Sequence, residues 1–438
     1  MKVFNFIVYQ ILSNNTIFLG LIALIGLLLQ KKKFPQVIDG VVKTIIGLTI
    51  LTAGSGILIS SLSPVINKLN STLKVKGVLP TNDAVFGVAL QFNTLAKNTV
   101  ITFLIAFLIH LVLVRISHKE VFKNVYLTAH LELFLAAFLN AAIPTVLKTN
   151  DFWTITLASI FAAVYYTYSP AIPRIIGKKW LNNVQTLGFM DQVGSILAHF
   201  IGKWFGNKHQ DADNMKLPKW ASMFRDNTIT LFFLMPLIFL GIGLAVGQKG
   251  IESLSGTGIS GTNWILWLIL NGFKFTAGIV ILLQGVRMFI GSIVPAFKGI
   301  SDKFLPGAIP ALDAPTFFPF SPMGGMFGFL GSTIGCILVT FLTIFFKSPI
   351  IVFPSPIIMY FDGNVMGVFG NKAGGWRGAI FAGFITGMIS SAAVILFYPL
   401  TGPMFGSGLT FSNIDFALVW MPLMYLLKLL RSIFLMFV

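Results

Sequence analysis

The sequence predicts an all-α polytopic membrane protein with about ten or eleven transmembrane helices and additional re-entrant hairpins. Of its 438 residues, 55% are hydrophobic and only 10% are charged, whereas soluble domains carry about a quarter charged residues. A helix needs about 20 mostly apolar residues to cross a bilayer. Ten windows approach this: 17–30, 38–62, 99–116, 125–146, 152–170, 228–246, 263–295, 327–346, 378–397 and 416–438.

The net charge of +17 has two interpretations, nucleic-acid binding or membrane topology. The basic residues gather in short segments at 31–33, 174–179, 203–219 and 428–431. Because cytoplasmic loops of membrane proteins are enriched in Lys and Arg, we predict a multi-pass protein of a bacterial-type cell membrane, surrounded by lipid and without a nucleic-acid partner. No phosphate-binding loop or metal motif is present, so we expect no cofactor and no metal.

Two stretches of the chain resemble each other and predict an internal repeat. Residues 42–64 match residues 273–295 without a gap. The matching pairs are Lys43 and Lys274, Gly47 and Gly278, Ile50 and Ile281, Leu51 and Leu282, Gly54 and Gly285, Ser61 and Ser292, and Pro64 and Pro295. We therefore divide the chain into halves at 1–220 and 221–438. The first half ends in a polar loop, 207–220, suited to docking a cytosolic partner. The relative orientation of the halves stays open.

Each half also contains a segment in which proline interrupts the apolar pattern, near 77–92 and at 305–325. GVLPTNDA in the first resembles GAIPALDA in the second, and each carries an acid, Asp83 or Asp313. A carboxylate at bilayer depth costs at least about 2.5–3.5 kcal/mol, and irregular backbone there must be buried or line a wet cavity. We predict that both segments re-enter the membrane and face a polar solute. The alternative is that 305–325 is a loop with a solvated Asp313.

Further polar residues interrupt the apolar windows. His130 is a candidate ligand for a hydroxyl or carboxylate, with packing as the equal alternative, while Glu132 is a weaker candidate and His110 is expected to pack. Gln284 and Arg287 are candidates for a supporting or gating role, although Arg287 also fits a snorkelling side chain or a partner of an acid. Asn364 lies in a polar stretch, 360–378, that we interpret as a loop or second gate.

Several of these motifs occur together in one known family. KTIIGLTILTAGSGIL, QGVRMF, PGAIPALDAPTFFPFSP and GVFGNKAGGWRGA, in this order, resemble the membrane component (enzyme IIC) of the ascorbate-type phosphotransferase system. The resemblance covers essentially the whole chain and places it in the ascorbate–galactitol superfamily. It implies a homodimer whose subunits each have a mobile core (transport) domain and a dimerisation scaffold, with an elevator-type movement. It also implies a phosphorylated IIB partner, with IIA upstream, that carries the phosphoryl group in place of this chain.

The resemblance carries over some substrate ligands and loses others. It assigns substrate binding to Ser55, His130 and Asp313, with Asn82 and Asp83 at the polar positions of the first broken segment. Three residues depart from the polar family pattern: Phe134, Phe189 and Met190. Because lost polar ligands change affinity or specificity, the identity of the solute is the least determined part of the prediction.

The predicted function is therefore uptake of a small polyhydroxylated solute, L-ascorbate before others, coupled to its phosphorylation. His130 and Asp313 are the candidate bases for the proton of the attacking hydroxyl, and no residue is assigned as catalytic. One alternative is the same system with a pentitol, galactitol or another carbohydrate. A second is an ion-coupled secondary transporter of a sugar or sugar acid that uses Asp83, His130 and Asp313. A third is a membrane protein that has lost transport.

Overall fold

The computed structural model describes residues 15–73, 76–181, 185–215, 227–254, 261–404, 406 and 408–437, and most of them are helical. The α-helices are α1 Asn15–Leu29, α2 Phe34–Leu73, α3 Asn82–Ala89, α4 Asn93–Ile116, α5 Ala129–Leu147, α6 Asp151–Tyr168, α7 Ala171–Ile176, α8 Gly194–Phe205, α9 Asn227–Val246, α10 Gln248–Glu252, α11 Trp264–Phe304, α12 Pro322–Phe345, α13 Pro356–Phe397 and α14 Met421–Phe437. The strands are β1 Lys76–Pro80, β2 Asn124–Tyr126, β3 Thr186–Leu187, β4 Ile309–Leu312, β5 Ile350–Val352 and β6 Leu409–Thr410. The rest of the loop 207–220, from residue 216 on, and the predicted boundary between the halves lie outside the described residues.

Apolar helices of membrane-spanning length dominate the described part, as the composition predicts. Seven segments there are long and apolar enough to cross a bilayer: Asn93–Ile116, Ala129–Leu147, Asp151–Ile176, Trp264–Leu282, Pro322–Phe345, Met359–Gly402 and Phe416–Phe434. The windows predicted at 17–30, 38–62 and 228–246 are helical as well, in α1, α2 and α9. Their described apolar stretches are shorter than a full membrane span. For this reason the described residues contain seven candidate spans and not the predicted ten or eleven.

The two longest helices outside the site, α2 and α11, pack directly on each other. At Gly54 of α2 an added Cβ would lie 2.6 Å from the backbone nitrogen of Leu282 in α11. Real Cβ atoms essentially never come that close, so a glycine is required where the two backbones meet. Helices α1 and α9 pack on the same pair.

Helix α13 is broken at a pair of glycines. Gly374 and Gly375 have non-helical torsions, and φ of Gly375 is +65°, a value that favours glycine. Residues 207–215 pack over this break: the Asn207 amide donates to the Gly374 carbonyl at 2.7 Å, and the Trp376 amide donates to the Gln210 carbonyl at 3.0 Å. The backbone groups released by the break are therefore satisfied by another segment.

Two small parallel sheets, which the all-α prediction did not include, connect distant parts of the chain. One has the order β5–β1–β6 and the other β2–β4–β3. The central strands, β1 and β4, come from the two broken segments, and each pairs with strands from the other predicted half of the chain. Because these strands are two to five residues long, no period-2 pattern was available to predict them.

Candidate functional site

The candidate site begins where each central strand ends. After β1 the chain passes through Thr81 into α3, whose first two residues, Asn82 and Asp83, are both 6% exposed. After β4 the chain reaches Asp313, whose carboxylate accepts the Ala314 amide at 2.8 Å and caps a short 3₁₀ turn. Both predicted segments thus leave helical conformation and place a carboxylate at a strand-to-helix turn.

The second sheet brings the predicted histidine to Asp313. The amide of Leu127, just after β2, donates to the carbonyl of Ala311 at 3.1 Å, so the start of α5 lies beside the end of β4. His130, in the first turn of α5, is 6% exposed, and its Nε2 lies 3.7 Å from Oδ2 of Asp313. Nδ1 of His130 is buried without a hydrogen-bond partner among the described residues.

The two broken segments converge at this point. The carboxylates of Asp83 and Asp313 lie close enough to repel each other electrostatically. Asp313 is the more open of the pair, because its side chain is 27% exposed. The arrangement offers carboxylate acceptors and an imidazole that donates or accepts, which suits a ligand with several hydroxyl groups.

Phe134 lies at the same place. It follows His130 by one helical turn, and its ring is perpendicular to the imidazole at a centroid distance of 5.6 Å. On its other side it packs against Phe86 of α3 at 5.2 Å. The phenylalanine therefore bridges His130 and the first broken segment, and it makes apolar a position next to the candidate ligands.

Phe189 and Met190 follow β3 and are buried, with exposures of 6% and 0%. The Phe189 ring faces Phe361 of α13 at 6.2 Å. The Gly188 amide donates to the Leu312 carbonyl at 2.7 Å, which places this segment one residue from Asp313 in the sheet. The predicted specificity residues thus approach the site from β3.

The other predicted residues are placed around the site or away from it. Asn82 accepts the Ser412 amide at 2.9 Å, and its amide group donates to the side chain of Asn413. Ser55 lies within α2, next to the crossing with α11, but its side chain is outside the described residues. Gln284 and Arg287 are exposed on α11.

Asn364 belongs to a separate pocket of about 330 Å³ between α12 and α13. Its walls are otherwise apolar or aromatic and include Phe318, Met326 and Tyr360. The amide of Asn364 donates to the Tyr360 carbonyl at 2.6 Å. The pocket does not contain His130 or Asp313, so Asn364 is not brought into the same group.

His110 has the structural role expected of it. It is fully buried, with Nδ1 2.9 Å from the Thr167 hydroxyl and Nε2 accepting the Tyr126 amide at 3.2 Å. Cys336 is likewise buried. Among the residues that the structure describes, no three His, Cys, Asp or Glu side chains are grouped to hold a metal ion.

Sequence reasoning missed a second polar group behind the site. It consists of buried carboxylates, amides and a tyrosine hydroxyl on four different elements or connections: Asp191, Gln192, Tyr165, Asp362, Asn413 and Asp415. Isolated acids in apolar windows were the available signal, but their separation along the chain concealed the cluster.

The geometry agrees with a comparison against known families. Residues 10–415 match the family model described as the sugar-specific permease component of the phosphotransferase system, EIIC-GAT. The chain belongs to this permease family. Together with the seven apolar helices, membership makes it a multi-pass protein of the plasma membrane.

One curated relative was found, the ascorbate-specific phosphotransferase EIIC component of Mycoplasma pneumoniae. It is 26% identical to this permease over 435 aligned positions. The alignment covers 88% of this chain and 66% of the relative. The permease thus spans just under two thirds of the length of the relative that it matches.

Proposed function

We propose that this permease takes up a small polyhydroxylated solute, L-ascorbate before others, and that a phosphorylated IIB protein phosphorylates the solute at the cytosolic face. The observation that carries the proposal is the meeting of His130 and Asp313 with the Asp83 segment in a member of this family. The ascorbate specificity of the relative supports the choice of solute.

In this mechanism the solute is held between the two broken segments. Asn82 and Asp83 contact it from one side, and His130 and Asp313 from the other, with Ser55 as a further ligand and Gln284 and Arg287 as support. Carboxylates accept hydroxyl donors in charge-assisted hydrogen bonds, which are stronger than neutral ones. Asn82, Asp83 and His130 are buried, so water competes little with the solute for these three groups.

Phosphoryl transfer then makes uptake irreversible. The S–P bond on the IIB cysteine breaks, an O–P bond forms to the solute, and the hydroxyl proton leaves to a base. His130 and Asp313 are the available bases. The product carries added negative charge and does not return through a site lined by carboxylates. The proposal also includes an elevator-type movement and a homodimeric scaffold, which the resemblance to the ascorbate-type family implies.

Phe134 favours a second candidate solute, another small carbohydrate such as a pentitol or galactitol. Its ring packs on His130 where a polar ligand would contact a hydroxyl group. A solute that turns a CH face to this position pairs better with the ring than with an amide.

The test is uptake of labelled L-ascorbate by cells that lack their own ascorbate transporter. The cells express this chain with or without its phosphorylated IIB and IIA proteins. We expect uptake as a phosphate ester that requires IIB and is reduced by Asp313→Asn but not by Asp39→Asn, an exposed acid on α2. If IIB-dependent uptake is found for another carbohydrate and not for ascorbate, the proposed solute is wrong and the proposed mechanism stands. Uptake without IIB, driven by an ion gradient, refutes the phosphotransferase mechanism in favour of secondary transport.

A further inference from the structure

Three buried carboxylates meet behind the candidate site. Asp191 lies between β3 and α8, Asp362 lies in α13, and Asp415 follows β6; their exposures are 0%, 3% and 0%. Asp191 is close enough to both of the others for electrostatic repulsion. Three charges of one sign in one buried region require compensation.

Asp415 has that compensation. It accepts the Tyr165 hydroxyl at 2.6 Å and the amides of Val193 and Gly194 at 3.0 and 2.8 Å. These two amides belong to the start of α8, where the helix dipole also favours negative charge. Asp415 is therefore suited to remain ionised.

Asp191 and Asp362 lack comparable compensation of their negative charge. Neither oxygen of Asp191 has a hydrogen-bond partner among the described residues, and the same holds for Oδ2 of Asp362. Oδ1 of Asp362 accepts from Asn413 at 2.5 Å. The ion pairs found in the described part involve other acids.

Among the residues that the structure describes, the groups that face this pair supply no positive charge. Asp191 faces Asp362, Asp415 and the hydroxyl of Tyr165, while Asp362 also faces the thiol of Cys336 on α12. Two buried carboxylates near a third cannot both ionise at acceptable cost, whereas one proton between them removes a charge and supplies a donor. A multivalent metal would need a larger ligand group than the described residues provide.

We propose that Asp191 and Asp362 bind one exchangeable proton between them, so that this buried junction is a proton site distinct from the His130–Asp313 site. An acid inside a membrane protein commonly marks a proton pathway. Here the oxygens of Asp191 and Oδ2 of Asp362, which have no hydrogen-bond partner among the described residues, give the proton both its donor and its acceptor.

A short chain of side-chain hydrogen bonds connects this junction with the solute. Asn413 donates to Asp362, its carbonyl oxygen accepts from Asn82, and Asn82 precedes Asp83 in the first broken segment. Loss of the proton strengthens Asp362 as an acceptor and holds Asn413 more tightly. The effect on solute binding rests on the proposed function, whereas the proton site itself does not.

Infrared spectroscopy of the purified full chain in lipid tests the proton site. A buried protonated carboxyl group absorbs above the amide I band and shifts in D₂O. We expect this band at neutral pH and its decrease as the pH rises. Because the buried carboxyl group of Glu132 contributes to the same region of the spectrum, the readout is the component of the band that is lost in Asp191→Asn and in Asp362→Asn. Asp39→Asn and Glu132→Gln should retain this component. Absence of the band from the unmodified chain at every pH, or an unchanged band in both the Asp191 and Asp362 variants, overturns the proposal.

The connection to the solute has a separate readout. Labelled L-ascorbate binding is measured against pH for the unmodified chain and for Asn413→Ala, with thermal unfolding as a check on folding. We expect affinity to depend on pH in the range in which the infrared band titrates, and Asn413→Ala to flatten this dependence while the band remains. A pH dependence that is unchanged in the variant refutes the connection. Failure of all ascorbate binding alongside a titrating band counts against the proposed solute and leaves the proton site supported.

Discussion

Replacing Asp313 by asparagine removes one negative charge and little else. The substituted side chain has the same shape, and its oxygen can still accept the Ala314 amide that Asp313 accepts at 2.8 Å. What changes is the acceptor offered to the solute and the interaction with His130. The variant therefore tests a ligand role for Asp313 with small risk to the 3₁₀ turn.

The expected loss can be worked from these contacts. A hydrogen bond to a charged group contributes about 1.5–3 kcal/mol, and a neutral one about 0.5–1.5 kcal/mol. Their difference of about 1–1.5 kcal/mol corresponds to roughly a tenfold weaker affinity. The His130 contact adds little, because its 3.7 Å separation exceeds a hydrogen bond and the Asp313 side chain is 27% exposed.

Equilibrium binding of labelled L-ascorbate to the purified protein measures this effect. Asp39→Asn is the matched control, since that carboxylate is exposed and pairs with Lys43 at 2.8 Å on the same helix. Both variants should unfold at nearly the same temperature as the unmodified chain. Equal affinity in Asp313→Asn and Asp39→Asn would show that Asp313 does not contact the solute.

Three further predictions concern other parts of the molecule. Phe134→Gln should raise ascorbate affinity about fivefold in equilibrium binding, through one new neutral hydrogen bond. It should lower the free energy of unfolding by about 2–3 kcal/mol, because apolar and aromatic packing is lost. Unchanged ascorbate affinity contradicts this. Gly374→Ala should lower the melting temperature, because its Cβ would overlap the α8 backbone, whereas Gly241→Ala on α9, with nothing within 4 Å, should not. Burial raises the pKa of Asp211, but hydrogen bonds from Asn371 and a backbone amide outweigh it and hold the pKa below its usual value. The stability that Asp211 contributes is therefore present at pH values above the ordinary Asp pKa and is lost as the pH falls through its folded-state pKa. Asn371→Ala should make the melting temperature depend less on pH on the acidic side.

The site was predictable to the extent that its residues interrupt an apolar pattern. Asp83, His130 and Asp313 each violate the composition of their surroundings, and the cost of burying them makes them candidates for a functional role. Polar residues at exposed positions have no burial cost, so the sequence gives no comparable signal for them. Gln284 and Arg287 were selected by type alone, and the structure leaves them exposed on α11.

The sequence by itself determined that this is a helical membrane protein, because bilayer depth translates directly into a length of apolar residues. It also predicted the two broken segments, since proline and glycine act locally. Pro64 nevertheless lies inside α2, and the stretch 360–378, interpreted as a loop or second gate, is part of α13 with a break only at Gly374 and Gly375. The tertiary structure decided which broken segments meet. Strands of two to five residues have no periodicity to read, and their parallel pairing joins positions up to about 330 residues apart, as Pro80 with Thr410. Asp191, Asp362 and Asp415 come together through helix packing of α8 on α13 and through hydrogen bonds such as that from Asn413 to Asp362, and this proximity is set by packing and not by local propensity.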